Sequence, residues 1–239
     1  MTKGRIHSFE SMGLVDGPGI RTIVFLQGCA LRCSYCHNPD TWNCHEGTEI
    51  DSEELLKKII RFKPYFEKSG GGVTFSGGEP LMQPEFLLEM LKLCKKSGIH
   101  TVIDTAGYGT GNYDEILKYT DLVLLDIKHI DNEKHKKLTG KDRIGSDEFI
   151  KALKANNTKV WIRHVVVPGI TDSEEHIVKL AKFIKGLNNI EKIELLPYHS
   201  LGVEKYKKLN LPYKLEGIED MDRERLAKLE KLLNNNLEV

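Results

Sequence analysis

Thr22-Ile23-Val24-Phe25-Leu26-Gln27-Gly28-Cys29-Ala30-Leu31-Arg32-Cys33-Ser34-Tyr35-Cys36-His37-Asn38 is the stretch on which the reading of this chain turns. It opens as a short β-branched and apolar run, the pattern of a buried strand, and passes at a glycine into a polar loop with three cysteines. Working outward, the same kind of apolar run recurs at residues 72–75, 101–104, 122–126, 160–166 and 192–196. Amphipathic helical patterns lie between and after them. Asp51-Ser52-Glu53-Glu54 opens the first with an N-cap and early acids, and Leu55, Ile59, Phe62 and Phe66 line one face. A second helix follows Pro84, and shorter ones are expected at 113–119 and 148–155. Ile177, Leu180, Ala181 and Ile184, then Leu226, Leu229 and Leu233, repeat the helical spacing. Lys134-His135-Lys136-Lys137 reads as a solvated helix face.

Regular β-then-α alternation implies parallel strands joined by right-handed crossovers. Six such units fit 239 residues, whereas a closed eight-unit barrel takes about 250. The expected fold is therefore α/β, a partial (β/α)6 barrel open on one side, with a flat doubly wound sheet as runner-up. One domain spanning 1–239 is expected, comprising an N-terminal extension over 1–20, a barrel over about 21–200 and a helical segment over about 201–239.

In parallel α/β folds, ligands bind beyond the carboxyl ends of the strands. After the first candidate strand come the cysteines, after the second Ser76-Gly77-Gly78-Glu79-Pro80, and after the third Asp104-Thr105-Ala106-Gly107. The fourth ends in Asp126-Ile127-Lys128, the fifth carries Arg163, and the sixth ends in Pro197-Tyr198-His199. A turn or cap explains any one of these; six polar or glycine-rich tips on one face point to a site.

Composition removes other classes. Lys+Arg and Asp+Glu both number 35, so no general field draws in nucleic acid. No uninterrupted hydrophobic run exceeds four residues, such as Ile23 to Leu26, against the roughly 18–20 of a membrane span. Met1 to His7 shows no apolar core of a secretory signal, so a cytoplasmic protein is expected. Five cysteines, an odd number, argue for reduced thiols rather than a disulfide framework. Cys94 shares a helical face with Leu87, Met90 and Leu91 and reads as a small buried hydrophobe, and Cys44 reads as a free thiol.

Cys29, Cys33 and Cys36 place three thiols on one short loop, and thiolates select zinc, copper(I) or iron-sulfur clusters. Structural zinc wants four ligands, and the chain offers no second Cys-x2-Cys or His-x3-His pair, only His37 or Cys44 as a fourth. Three thiolates on a cubane of four irons leave one iron open to a chelating substrate.

With its Cys-x3-Cys-x2-Cys spacing, the chain resembles the radical S-adenosylmethionine (SAM) superfamily, whose fold is a partial (β/α)6 barrel. The resemblance is closer still to the activating enzymes of glycyl-radical enzymes, of the kind that serves pyruvate formate-lyase. It is carried by Gly4-Arg5-Ile6-His7-Ser8-Phe9-Glu10-Ser11, Val15-Asp16-Gly17-Pro18-Gly19-Ile20-Arg21, Tyr35-Cys36-His37-Asn38, Gly70-Gly71-Gly72-Val73-Thr74, Val160-Trp161-Ile162-Arg163 and Glu194-Leu195-Leu196-Pro197-Tyr198-His199, and covers nearly the whole chain. Many other activases of this family insert a ferredoxin-like segment with further cysteine clusters before Gly-Gly-Glu-Pro. Here the 40 residues from His37 to Ser76 hold a helix and one cysteine, Cys44.

The resemblance implies an oxidoreductase of anaerobic metabolism that generates a glycyl radical in pyruvate formate-lyase. A 5′-deoxyadenosyl radical, from reductive cleavage of SAM at a 4Fe-4S cluster, would do so. Flavodoxin or ferredoxin would be the electron donor, with a monomeric chain and no nucleic-acid or membrane partner. By the same resemblance Cys29, Cys33 and Cys36 ligate the cluster, and Tyr35, Cys36, His37, Gly77, Gly78, Glu79, Asp126, Lys128 and His199 contact SAM. Asp104, Thr105 and Asp126 would surround a monovalent cation, sodium or potassium, and Asp16, His37 and Arg163 would meet the substrate's glycine loop. Rival readings are an activase for another glycyl-radical enzyme and, from another class, a zinc-stabilised binding module.

Overall fold

The computed structural model describes residues 2–238. In chain order its elements are β1 (Lys3–Gly13), β2 (Arg21–Leu26), β3 (Thr48–Asp51), α1 (Ser52–Ile60), α2 (Lys63–Ser69), β4 (Gly72–Gly77), α3 (Pro84–Lys96), β5 (His100–Thr105) and α4 (Tyr113–Lys118). They continue with β6 (Leu122–Asp126), α5 (Asn132–Thr139), α6 (Ile144–Asn156), β7 (Lys159–Val166), α7 (Glu174–Ile184), β8 (Ile190–Pro197), α8 (Val203–Lys208) and α9 (Arg223–Leu237). Three single-turn 3-10 helices fill loops.

The described strands form one sheet in the order β3-β1-β2-β4-β5-β6-β7-β8. From β2 to β8, six strands run parallel and follow the chain without reversal. That order is the partial (β/α)6 barrel. A doubly wound sheet needs its strand order to reverse at a switch point, and none is present.

Two strands were not expected. The N-terminal extension expected over 1–20, with its Asp16-Gly17-Pro18-Gly19 loop, carries β1, which pairs antiparallel with β2 and with β3. A register shift between Ile6 and Ser8 breaks the alternation of β1, so its apolar residues Ile6 and Phe9 stand three apart rather than two. β3 has a single apolar residue, Ile50, and gives no periodic signal.

The helix expected to run from Leu55 through Phe66 is two helices. Pro64 lies in the first turn of α2, where its missing N–H is tolerated, and the chain bends at Arg61-Phe62. Asp51 holds the N-cap position of α1, but its side chain makes no capping hydrogen bond. The segment read as a solvated face also needs correcting: Lys134, Lys136 and Lys137 are exposed, but His135 is buried, its Nδ1 2.9 Å from the Lys141 carbonyl.

Side chains on each parallel strand alternate between two cores. Outward residues such as Val24, Phe75, Ile103, Val123 and Ile162 join the helices in the main core, which includes Cys94. Inward residues Val102, Leu122 and Leu124, with Trp161 against them, fill the lower barrel. Arg21 closes the end beside them. Fully buried, its guanidinium donates to the Thr74 hydroxyl (2.7 Å) and to the carbonyls of Val73 (2.6 Å) and Pro18 (2.9 Å). Above this apolar plug the strand tips are left to polar residues. Among the described residues no helix is long and apolar enough to cross a membrane.

Candidate functional site

The loop after β2 is pinned from three sides. Gly28 and Cys29 donate their amides to the carbonyls of Thr41 (2.7 Å) and Trp42 (3.3 Å), and Arg32 and Ser34 to those of Thr139 (2.6 Å) and Leu138 (2.8 Å) at the end of α5. From β4, Gly78 donates to the Leu26 carbonyl (2.9 Å) and Glu79 to that of Gly28 (2.8 Å). This last contact explains the paired glycines. Gly77 has φ of 110°, and a Cβ on Gly78 would lie 2.3 Å from the Gly28 oxygen, so neither position accepts a side chain.

Cys29, Cys33 and Cys36 border one cavity of about 370 Å³. All the other expected site residues border it too, except Asp16. Burial pushes all three thiols upward, Cys33 to about 12. As bare thiols they are inert, and only a strong cationic partner would hold them as thiolates. Among the described residues no three His, Cys, Asp or Glu side chains gather closely enough for a single metal ion. A cubane, which spreads its ligands around a larger body, suits thiols lining a cavity. Cys44, one fourth ligand that a zinc site would need, is exposed and outside this lining.

Charge in the cavity is arranged in pairs. Lys128 sits 2.8 Å from Asp126 and 5.6 Å from the centre of the Tyr35 ring. Burial is the largest single influence and works against its charge, but the Asp126 carboxylate and its hydrogen bond, together with Tyr35 and Cys33, outweigh it and hold the ammonium well above its ordinary value. Arg163, 9% exposed, lies 3.9 Å from Asp104, 3.7 Å from Asp16 and 3.5 Å from Glu194. Burial drives the Asp104 carboxyl upward against the pull of Arg163. His37 packs on His199 with ring centroids 4.3 Å apart and its Nε2 3.2 Å from the His199 carbonyl, and burial lowers its pKa.

Two of the expected site residues also make hydrogen bonds within the protein. Glu79 accepts hydrogen bonds from the Thr105 hydroxyl (2.5 Å) and from the amides of Ala106 (2.9 Å) and Leu81 (3.2 Å). Its carboxylate therefore knits the tip of β4 to that of β5 rather than standing free for a ligand. The Thr105 hydroxyl donates to Glu79 and accepts from the Gly107 amide (2.8 Å), which leaves one of its two lone pairs toward the cavity. Asp16 lies in the loop between β1 and β2. Its carbonyl accepts from the Thr74 hydroxyl (2.7 Å), while the preceding Val15 carbonyl accepts from Arg163.

Sequence reasoning assigned no role to Ser76, whose hydroxyl donates to Asp104 (2.8 Å), or to Glu194 beside Arg163. The inward phase of β4 and β8 is the signal that could have found them, since Ser76 is two residues from Thr74 and Glu194 pairs in register with Arg163. The cavity also keeps polar atoms without a protein partner: the buried Tyr35 hydroxyl and His199 Nδ1. Three thiols, adjacent glycine backbone and orphaned donors and acceptors fit an iron-sulfur cluster with SAM bound beside it.

Comparison with known proteins agrees with this geometry. Residues 23–181 match the family model of the radical SAM superfamily. A pyruvate formate-lyase-activating enzyme of Clostridium pasteurianum is 68% identical over 238 residues, covering 100% of both chains. One from Staphylococcus epidermidis is 52% identical, over 99% of this chain and 97% of its own. Among solved structures, a domain of pyruvate-formate lyase-activating enzyme from Bacteroides vulgatus superposes with a TM-score of 0.58 at 28% identity, covering 70% of this chain and 95% of that one. These matches overturn the zinc-module alternative. The chain belongs to the radical SAM superfamily and, within it, to the family of pyruvate formate-lyase-activating enzymes.

Proposed function

We propose that this chain activates pyruvate formate-lyase by creating a glycyl radical in it. The observation that carries the proposal is the convergence of Cys29, Cys33 and Cys36 with the Gly77-Gly78 backbone and the Asp126–Lys128 pair on one cavity, in a chain 68% identical end to end to an enzyme of that name. When bound, the 4Fe-4S cluster and SAM supply a reductive cleavage whose 5′-deoxyadenosyl radical takes one hydrogen atom from a glycine α-carbon.

The residues divide that work. Cys29, Cys33 and Cys36 hold the cluster by three thiolates. Gly77 and Gly78 would let main chain approach the methionine amine of SAM without side chains between. Lys128, paired with Asp126, would help hold SAM, and Tyr35, His37 and His199, which border the same cavity, would lie near its nucleoside. Arg163 fixes Asp16 and Val15 at the barrel's inner wall, which places the 14–20 loop where a substrate glycine would enter. Glu79 supports this set from behind. A monovalent cation beside Asp104, Thr105 and Asp126 draws support from two carboxylates and a hydroxyl bordering the same cavity. One domain, a monomer, a cytoplasmic setting and flavodoxin or ferredoxin as donor complete the proposal.

The test is anaerobic reconstitution with iron and sulfide, followed by dithionite and SAM. Release of 5′-deoxyadenosine and methionine is expected; an intact cluster that leaves SAM uncleaved would overturn the proposal.

A further inference from the structure

The electron consumed in each activation has to reach the cysteine loop from outside the cavity, because SAM and the substrate glycine occupy that cavity in the reading above, on which this inference rests. A second groove, about 920 Å³, lies against the other side of the same loop. Cys29, Cys33 and Trp42 line both spaces, so these residues form the wall between them. Elsewhere the loop is hydrogen-bonded to the end of α5 and to the tips of β2 and β4.

The groove has an apolar floor and a cationic rim. Met82, Leu209, Leu211 and Pro212 line it, with Trp42 and Tyr206 edge to face at 5.8 Å. Arg32, Lys141 and Lys214 are exposed at its border and make no ion pair among the described residues; the Arg32 guanidinium lies 4.9 Å from the centre of the Trp42 ring. Of the two acids at the border, Asp40 is paired with Lys205 at 3.1 Å, which leaves Glu46. On a chain of zero formal charge this is a local excess of positive charge beside two cluster ligands.

We propose that this groove docks an acidic, flavodoxin-type electron carrier. The apolar edge of its flavin meets Trp42 and the aliphatic floor, and its acidic rim meets Arg32, Lys141 and Lys214. In the step, the reduced flavin loses one electron, the cluster behind Cys29 and Cys33 gains one, and no atom or proton crosses. Such encounters are small, below roughly 1,200 Å², and their charge complementarity acts chiefly on the rate of association. Entry from this side lets donor and substrate be bound at once.

The test uses reconstituted holoenzyme and the double variant Lys141→Glu/Lys214→Glu, neither position touching the SAM cavity. Bleaching of the cluster absorbance is followed in a stopped-flow cell with reduced flavodoxin, and flavodoxin binding is measured separately by anisotropy. The second-order reduction rate should fall about tenfold at low ionic strength, the gap should narrow as salt rises, and binding should weaken in parallel. Reduction by dithionite should not change. An unchanged flavodoxin rate, or an equal loss with dithionite, overturns the proposal. Cys44, exposed and bordering the same groove, gives an independent check. Capping it with a bulky maleimide should block reduction by flavodoxin but not by dithionite, and undisturbed flavodoxin reduction would count against the surface. Failure of unmodified holoenzyme to cleave SAM under dithionite is read before any flavodoxin is added, and overturns the activase reading and this one together.

Discussion

At Glu79 a carboxylate only 1% exposed accepts three hydrogen bonds from two neighbouring strand tips, and burial lifts its pKa to about 7. Replacing it by alanine leaves the Thr105 hydroxyl and two amides without their acceptor. The expected loss is about 2–4 kcal/mol, read as a lower urea midpoint at unchanged slope. The cysteines behave differently. Cys33→Ala removes only a buried sulfur, so the chain should fold while iron content and SAM cleavage fall to background. Circular dichroism with iron analysis separates these; retained activity would remove Cys33 from the ligand set. The cysteines were legible in the sequence because a cluster needs several thiols on one loop, so spacing alone carries the chemistry. The role of Glu79 was not, because its partners lie some 26 residues away in Thr105 and one further in Ala106, and only the fold joins them.

Between β6, β7 and α7 lies a cluster of three buried imidazoles. His164 and His176 bring their Nε2 atoms within 3.1 Å, His129 packs on His176 with centroids 4.5 Å apart, and the His164 Nδ1 is 2.6 Å from the Ile127 carbonyl. Burial, reinforced at His129 and His176 by the neighbouring imidazoles and Lys134, depresses them to about 4, 4 and 3. The unfolded chain then binds more protons than the native one from about pH 6.5 downward, so this cluster's contribution to stability is full above that value and is lost as pH falls through pH 4. Glu79 acts in the opposite sense over part of that window, since its raised pKa favours the protonated native state. The cluster is therefore isolated by difference: His176→Gln should flatten the fall in urea midpoint between pH 6.5 and 4. A pH profile parallel to that of the unmodified protein would contradict the assignment. At this scale the parallel strands were readable as dense apolar runs, and α3, α7 and α9 as periodic ones. β1 and β3 were not, since a bulge disturbs the phase of one and the other has a single apolar residue.

Across the whole molecule, the consecutive order of six parallel strands puts every chain-distant tip on one rim, which is how residues from Asp104 to His199 come to border the same cavity as Cys29. The sequence carried this architecture because βα alternation leaves few topologies once handedness is fixed. It could not show which polar residues at the rim answer one another: Arg163 with Asp16 and Glu194, or Ser76 with Asp104, meet only after the sheet curls. The account makes the rim a single radical-generating site served from two sides. Its central claim is tested most directly by electron paramagnetic resonance on reconstituted, reduced protein incubated anaerobically with SAM and pyruvate formate-lyase. The account predicts the doublet of a glycyl radical, absent when SAM is omitted. An intact cluster that yields no doublet under these conditions would contradict it.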